Sequence, residues 1–233
     1  MLNVHALHAG YGKSQVLRGV SFDVRPGEIV ALLGRNGSGR STTAKAIMGL
    51  LAAQGSARWK DTQLLGRQPF EIARLGLGYV PETRDIFPRL TVQQNLLLGQ
   101  KPGAAGRASR WQLQDIYTLF APLAARAHAP GGALSGGEQQ MLTLGRTLMG
   151  GPEMILIDEP TEGLAPQMVE QVGRFLLTLK AQGVAILLIE QKLTLALRIS
   201  DRALVMGRGQ VVFNGPPQTL AANASVRQEW LEV

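Results

Sequence analysis

Near the start of the chain, apolar and polar residues alternate over Leu2–His8 and again over Val16–Val24. That is the period of half-buried strands, and the turn pair Pro26-Gly27 closes the second run. From Glu28 to Leu33 the pattern becomes continuously apolar (Ile29, Val30, Ala31, Leu32, Leu33), as in a strand covered on both faces. This run enters the glycine-rich stretch Gly34–Gly39, and helical spacing follows over Ser41–Leu50, ending near Gly55. Further strands are expected at Ser56–Lys60 and Leu77–Val80. Thr91 with Gln94 forms a capping-box start for a helix through Leu98.

The next stretch, Lys101–Arg110, is rich in Gly, Ala and Arg and reads as an exposed loop. A helical region over Trp111–Arg126, broken at Pro122, precedes Gly131-Gly132, and a helix over Gly136–Met149 stops at Gly150-Gly151-Pro152. The pattern then alternates again. Strands are expected at Met154–Asp158, Val184–Glu190, Arg202–Met206 and Gln210–Asn214, with helices at Pro166–Gln182 and Leu193–Ser200. Apolar strands alternating with helices predict an α/β fold with a mainly parallel sheet. The β-rich beginning predicts a separate β subdomain beside that core. Residues 82–150, helical without strands, read as an inserted lobe within a single domain of 233 residues, whose core spans about 1–81 and 151–233.

Composition narrows the picture by exclusion. The chain has no cysteine, so disulfides and thiolate metal sites are ruled out. The first residues lack the basic start and apolar stretch of a signal peptide. No apolar run approaches the roughly 18–20 residues that span a bilayer. The net charge is +7, but the arginines are scattered, which fits a solvated basic surface better than a nucleic-acid footprint.

Candidate chemistry sits where strands end. Gly34-Arg35-Asn36-Gly37-Ser38-Gly39-Arg40-Ser41-Thr42 has the spacing of a phosphate-binding loop between a strand and a helix. Its glycines let several N–H groups point at one anion, the helix dipole faces the same way, and the Ser41 hydroxyl is placed to ligate Mg²⁺. Position 40, where such loops carry lysine, is arginine: the charge is kept, but in a larger, planar group. Downstream, Leu134-Ser135-Gly136-Gly137-Glu138-Gln139 opens a helix and offers a second anion-facing start at Ser135, Gly136 and Gly137. The strand Met154–Asp158 ends in Asp158-Glu159, one acid for Mg²⁺ and one to polarise an attacking water. Either motif alone fits an ordinary helix cap or strand end; the order and spacing of all three point to a nucleotide hydrolase.

The Leu134–Gln139 run resembles the signature motif of ABC ATPases, and the resemblance extends over nearly the whole chain. By that resemblance Tyr11 stacks on adenine, Thr161–Pro166 is the loop after the catalytic glutamate, and Glu159 is the general base. Glu82 stands where most members have a glutamine that touches the metal or water, and Gln191 where most have a switch histidine at the γ-phosphate. Pro81-Glu82, Ile86–Val92, Glu138–Leu142, Glu162–Pro166 and Glu190-Gln191 together are similar to the LivF-type ATPases of branched-chain amino-acid uptake. Thr83, where that subgroup has glycine, and Arg40 depart from it.

The resemblance implies ATP and Mg²⁺ as cofactors and a composite site shared with a paralogous ATPase subunit or a second copy. It also implies two membrane-spanning permeases, an extracytoplasmic solute-binding protein and a peripheral place on the cytoplasmic face of a bacterial inner membrane. Importers of urea, short-chain amides or aromatic carboxylates fit the same motifs, as does an ATP sensor with weak turnover. A DNA-repair ATPase does not fit, because the segment from Arg40 to Ser135 is too short for long coiled coils and shows no heptads.

Overall fold

The computed structural model describes residues 1–101 and 110–231. The stretch read as an exposed loop therefore lies largely outside the described residues. In chain order the elements are β1 (Leu2–Tyr11), β2 (Ser14–Val24), β3 (Ile29–Gly34), α1 (Arg40–Ile47), β4 (Ala53–Trp59), β5 (Thr62–Gln63), α2 (Pro69–Arg74) and β6 (Leu77–Val80). Then follow α3 (Val92–Leu97), α4 (Leu113–Leu119), α5 (Ala121–Ala125), a 3-10 turn (Gly131–Ala133), α6 (Gly136–Met149), β7 (Met154–Asp158) and α7 (Pro166–Ala181). The chain continues through β8 (Ala185–Glu190), α8 (Leu193–Ile199), β9 (Arg202–Gly207), β10 (Gln210–Gly215), α9 (Pro217–Ala222) and α10 (Ala224–Trp230).

Two sheets result. One is antiparallel, in the order β2-β1-β4-β5; the other runs β10-β9-β3-β8-β7-β6 and is parallel except for β10. The expected fold class is thus present: a mainly parallel core, an antiparallel β subdomain, and helices between β6 and β7. Strand β3 lies at the centre, paired with β8 on one side and β9 on the other. It is fully buried, which explains its unbroken apolar sequence: Val30 and Leu32 face a core shared with the antiparallel sheet, Ala31 and Leu33 a core under α8 and α9. A third apolar core joins the α3–α6 region to α7 and the opposite face of the sheet.

Several element boundaries differ from the sequence expectation, each for a local reason. Helix α1 ends at Ile47, well before Gly55. Gly49 takes a left-handed φ of 70°, and the N–H groups of Gly49 and Leu50 return to Ala46 and Lys45, closing the helix in a glycine stop. Gly55 lies inside β4, which begins at Ala53 opposite Ala9. The Trp111–Arg126 region breaks at Phe120 rather than Pro122; the proline sits in the first turn of α5, where no N–H is needed. Helix α2 was not anticipated, although Gln68, Pro69 and Glu71 form a capping box with proline at the helix start. No helix among the described residues is long and apolar enough to cross a membrane.

Candidate nucleotide site

Strand β3 delivers the chain into the glycine loop at the edge where β8 and β9 also end. The turn is fixed by backbone bonds: Ser38 N–H donates to Arg35 C=O at 3.1 Å, and Gly209 N–H, from the β9–β10 turn, donates to Ser38 C=O at 3.1 Å. Gly39 caps α1 at φ 105°, a left-handed conformation that strains any residue with a side chain. A Cβ there would also approach Leu17 Cδ2 to 2.7 Å. No acid occupies the first turn of α1, so its N-terminal N–H groups face the cleft uncompensated. The loop's first arginine turns away: Arg35 Nη2 donates to the Gln228 carbonyl of α10 at 3.2 Å.

Arg40 turns inward. Its side chain is only 5% exposed; Nη2 makes an ion pair with Glu159 Oε1 at 2.8 Å and donates to Asn36 Oδ1 at 3.1 Å. Its Nη1 is buried with no hydrogen-bond partner, and so is the hydroxyl of Ser38. Unmet polar groups are costly, and the Arg40 nitrogen, which lines the cleft, would be satisfied by an oxygen of a bound phosphate.

Across the loop stand the acids of β7. Ser41 Oγ donates to Asp158 Oδ1 at 3.0 Å, and Tyr79 Oη donates to Asp158 Oδ2 at 3.4 Å. Burial pushes the Asp158 carboxyl up from its ordinary value, with the Ser41 hydrogen bond pulling the other way. Burial, and then the adjacent Asp158, likewise push the Tyr79 phenol up. Glu159 holds a left-handed φ of 45°, rare for a residue with a side chain, and its N–H donates to Ile189 C=O at 2.9 Å. Burial raises its carboxyl as well, opposed by Arg40. Glu82 is raised by burial and then by the neighbouring Glu162 and Glu159.

These groups line one cleft of about 410 Å³, which brings together the expected Tyr11, Asn36, Gly37, Gly39, Arg40, Ser41, Thr42, Glu82 and Glu159. Tyr11 is 49% exposed, as a ring available for stacking would be. Gly34, Arg35 and Ser38 shape the loop without lining the cleft, and Asp158 is reached through Ser41. Val16 and Glu162 also line it, and neither was singled out for the site from sequence. Ser135, Gly136, Gly137 and Gln191 do not line it. The three signature residues start α6 beside Arg84 and Met168. There Ser135 Oγ accepts from Glu138 N–H at 3.3 Å and Ser135 N–H donates to Glu138 Oε2 at 2.7 Å. Gln191 is exposed just past β8.

The donor set suits a hard cation held partly by phosphate. Ser41 and Asp158 offer oxygen ligands only, and no group of three or more His, Cys, Asp or Glu among the described residues could cage a metal unaided.

The family model described as ABC transporter matches residues 17–162. The high-affinity branched-chain amino acid transport ATP-binding protein BraG of Pseudomonas aeruginosa is 39% identical over 234 residues, covering 99% of each chain. A probable branched-chain amino acid transport ATP-binding protein, LivF, of Archaeoglobus fulgidus is 34% identical over 94% of each chain. A solved ABC-transporter cassette in its ADP conformation superposes with a TM-score of 0.84 at 27% identity, over 98% of this chain and 97% of that one. A glycine loop with unmet donors, a strand ending in paired acids and full-length likeness to such cassettes lead to one family: this chain belongs to the ABC transporter ATPases, the ATP-binding and ATP-hydrolysing cassettes.

Proposed function

We propose that the chain energises an importer of branched-chain amino acids, with Arg40 and the loop N–H groups holding the phosphates of ATP. The observation that carries the phosphate reading is the buried, unpartnered Nη1 of Arg40, which lines the cleft in a loop that faces two acids. The amino-acid reading is supported by the 39% identity to BraG over 99% of both chains.

Tyr11 stacks on adenine at the open end of the cleft. Ser41 and Asp158 hold Mg²⁺, which when bound neutralises phosphate charge. Glu159 accepts the proton of the water that attacks the γ-phosphorus, and its burial-raised carboxyl suits a base that must take up a proton. Binding therefore has to draw Arg40 off Glu159. Gln191, just past β8, contacts the γ-phosphate when ATP is bound, whereas Ser135, Gly136 and Gly137 stand outside the cleft of a single chain. The reading accordingly includes a second ATPase chain, whose signature helix covers this cleft.

Two permease subunits, contacted from the cytoplasmic face, and an extracytoplasmic binding protein complete the assembly. For the permease we propose a groove of about 640 Å³ between α2 and α3, where Leu50, Phe70, Phe87 and Leu98 expose apolar surface. Tyr79 lines this groove and its hydroxyl also reaches Asp158, so one side chain runs from the groove to the acid beside the nucleotide cleft.

The test is Glu159→Gln in the assembled transporter. The amide keeps size and hydrogen bonding but cannot serve as the base. ATP should still bind and raise the melting temperature, while hydrolysis falls below detection. Hydrolysis at the parent rate would remove Glu159 from this role. In the parent complex, ATPase activity should rise with binding protein loaded with leucine and not with urea; the reverse would assign a different substrate class.

A further inference from the structure

The mechanism above leaves one buried acid unused. Strand β8 reads Ala-Ile-Leu-Leu-Ile and then ends in Glu190, whose side chain sits in a residue only 2% exposed. A carboxylate buried at the end of an apolar strand is costly unless it is bound, and this one is bound. Thr161 Oγ1 donates to Glu190 Oε1 at 2.7 Å. Burial pushes the Glu190 carboxyl up, opposed by that bond and by the nearby backbone N–H groups of Lys192 and Thr161. Thr161 follows Glu159 by two residues, and Glu190 itself immediately precedes Gln191. The carboxylate therefore joins the two loops that carry the proposed base and the proposed γ-phosphate contact. A second bond runs alongside: Glu159 N–H donates to Ile189 C=O at 2.9 Å, so the ends of β7 and β8 are tied at adjacent positions.

Resting on the nucleotide reading above, we infer that Glu190 is a positioning residue, which sets where Gln191 stands relative to Glu159 by gripping Thr161, on the loop after Glu159, from the position just before Gln191. Gln191 is exposed and does not line the cleft, so its placement depends on the backbone that carries it. The bound side chain of Glu190, one residue before, anchors that backbone. A carboxylate suits the task because it accepts several hydrogen bonds at once and donates none. Glutamine at this position would retain one acceptor and turn an NH₂ toward donors. The anchor would loosen without a change in volume.

The experiment uses the assembled transporter and reads single-turnover hydrolysis at saturating ATP, ATP affinity and melting temperature. Glu190→Gln should slow hydrolysis by about tenfold or more, with ATP affinity within about threefold of the parent, since the phosphate loop is untouched. In a Gln191→Ala background the same substitution should cost less than about threefold, because the residue it positions is gone. Thr161→Val should act like Glu190→Gln, and Thr161→Ser should restore the rate.

A Glu190→Gln rate within about threefold of the parent overturns the inference, as does an equal loss in both backgrounds. If Glu190→Gln fails to fold, the Thr161 pair decides alone: a slow valine and a normal serine support the inference, and equal rates overturn it. A parent complex that neither binds nor hydrolyses ATP would instead overturn the nucleotide reading itself.

Discussion

Replacing Arg40 examines the position at which this loop departs from the phosphate-loop pattern, which carries lysine there. The guanidinium spans Glu159 at 2.8 Å and Asn36 at 3.1 Å from one nitrogen and leaves the other buried and unmet. Arg40→Ala removes the cation from a pair whose side chains are 5% and 14% exposed. Glu159 is then left among acids, and breaking a pair this buried costs about 3 kcal/mol. For a domain of this size that is a fall of about 6–12 °C in melting temperature. ATP affinity and turnover should fall as well, since nothing offsets the γ-phosphate.

Arg40→Lys keeps the charge on a shorter, compact group that cannot meet Glu159 and Asn36 in the same way. ATP affinity should stay within about tenfold, or about 1.4 kcal/mol. Turnover should be equal or higher, because an ammonium fits between the phosphates and grips Glu159 less firmly. The assay is single-turnover hydrolysis by the three proteins, each assembled with its partner chain, beside melting curves of the isolated chains. A loss of more than about tenfold in the Arg40→Lys rate at unchanged ATP affinity would refute this reasoning and show that the loop is fitted to a guanidinium.

Tyr11→Ala should weaken ATP binding by about 1–3 kcal/mol, as loss of a stacking ring does, while Tyr11→Phe should bind within about twofold; calorimetry with MgATP checks both. Burial raises the Asp158 carboxyl above the ordinary aspartate value of about 3.9. Its contribution to the stability of the nucleotide-free chain is therefore present below that value and lost as pH rises through the raised one. Metal binding runs the opposite way, because it needs the ionised form, so the melting-temperature gain from MgATP should grow as pH rises through the same window. Asp158→Asn should reduce that pH dependence to what Glu159 and Glu82 leave, and a gain that is flat with pH in the parent would count against Asp158 as the metal ligand.

The parts of this molecule that were legible in the sequence are those written locally. The phosphate loop, the acids at the end of β7, the cap at Thr91 and Gln94 and the apolar core strands all depend on residues a few positions apart. What escaped depends on distance or on competition between weak signals. Arg40 and Glu159 are far apart in sequence, as are Tyr79 and Asp158, or Thr161 and Glu190, and nothing in either segment names its partner. Helix α2 carried its own capping signal but is short, and α9 and α10 follow a stretch where proline and glycine dominate the reading. The break at Pro122 was misplaced because proline starts a helix as readily as it interrupts one.

The central position of β3 has a consequence for how the protein comes into being. Residues 29–34 are made early, yet both of their sheet partners, residues 185–190 and 202–207, are made near the end of synthesis. The emerging chain thus carries its phosphate loop on a strand with neither neighbour until more than three-quarters of it has been translated. Closing such long loops is slow and must precede any gain from the contacts they make. A ribosome-bound fragment that stops before β8 should therefore bind no nucleotide, and the exposed apolar strand Ile29–Leu33 makes it a natural client for chaperones.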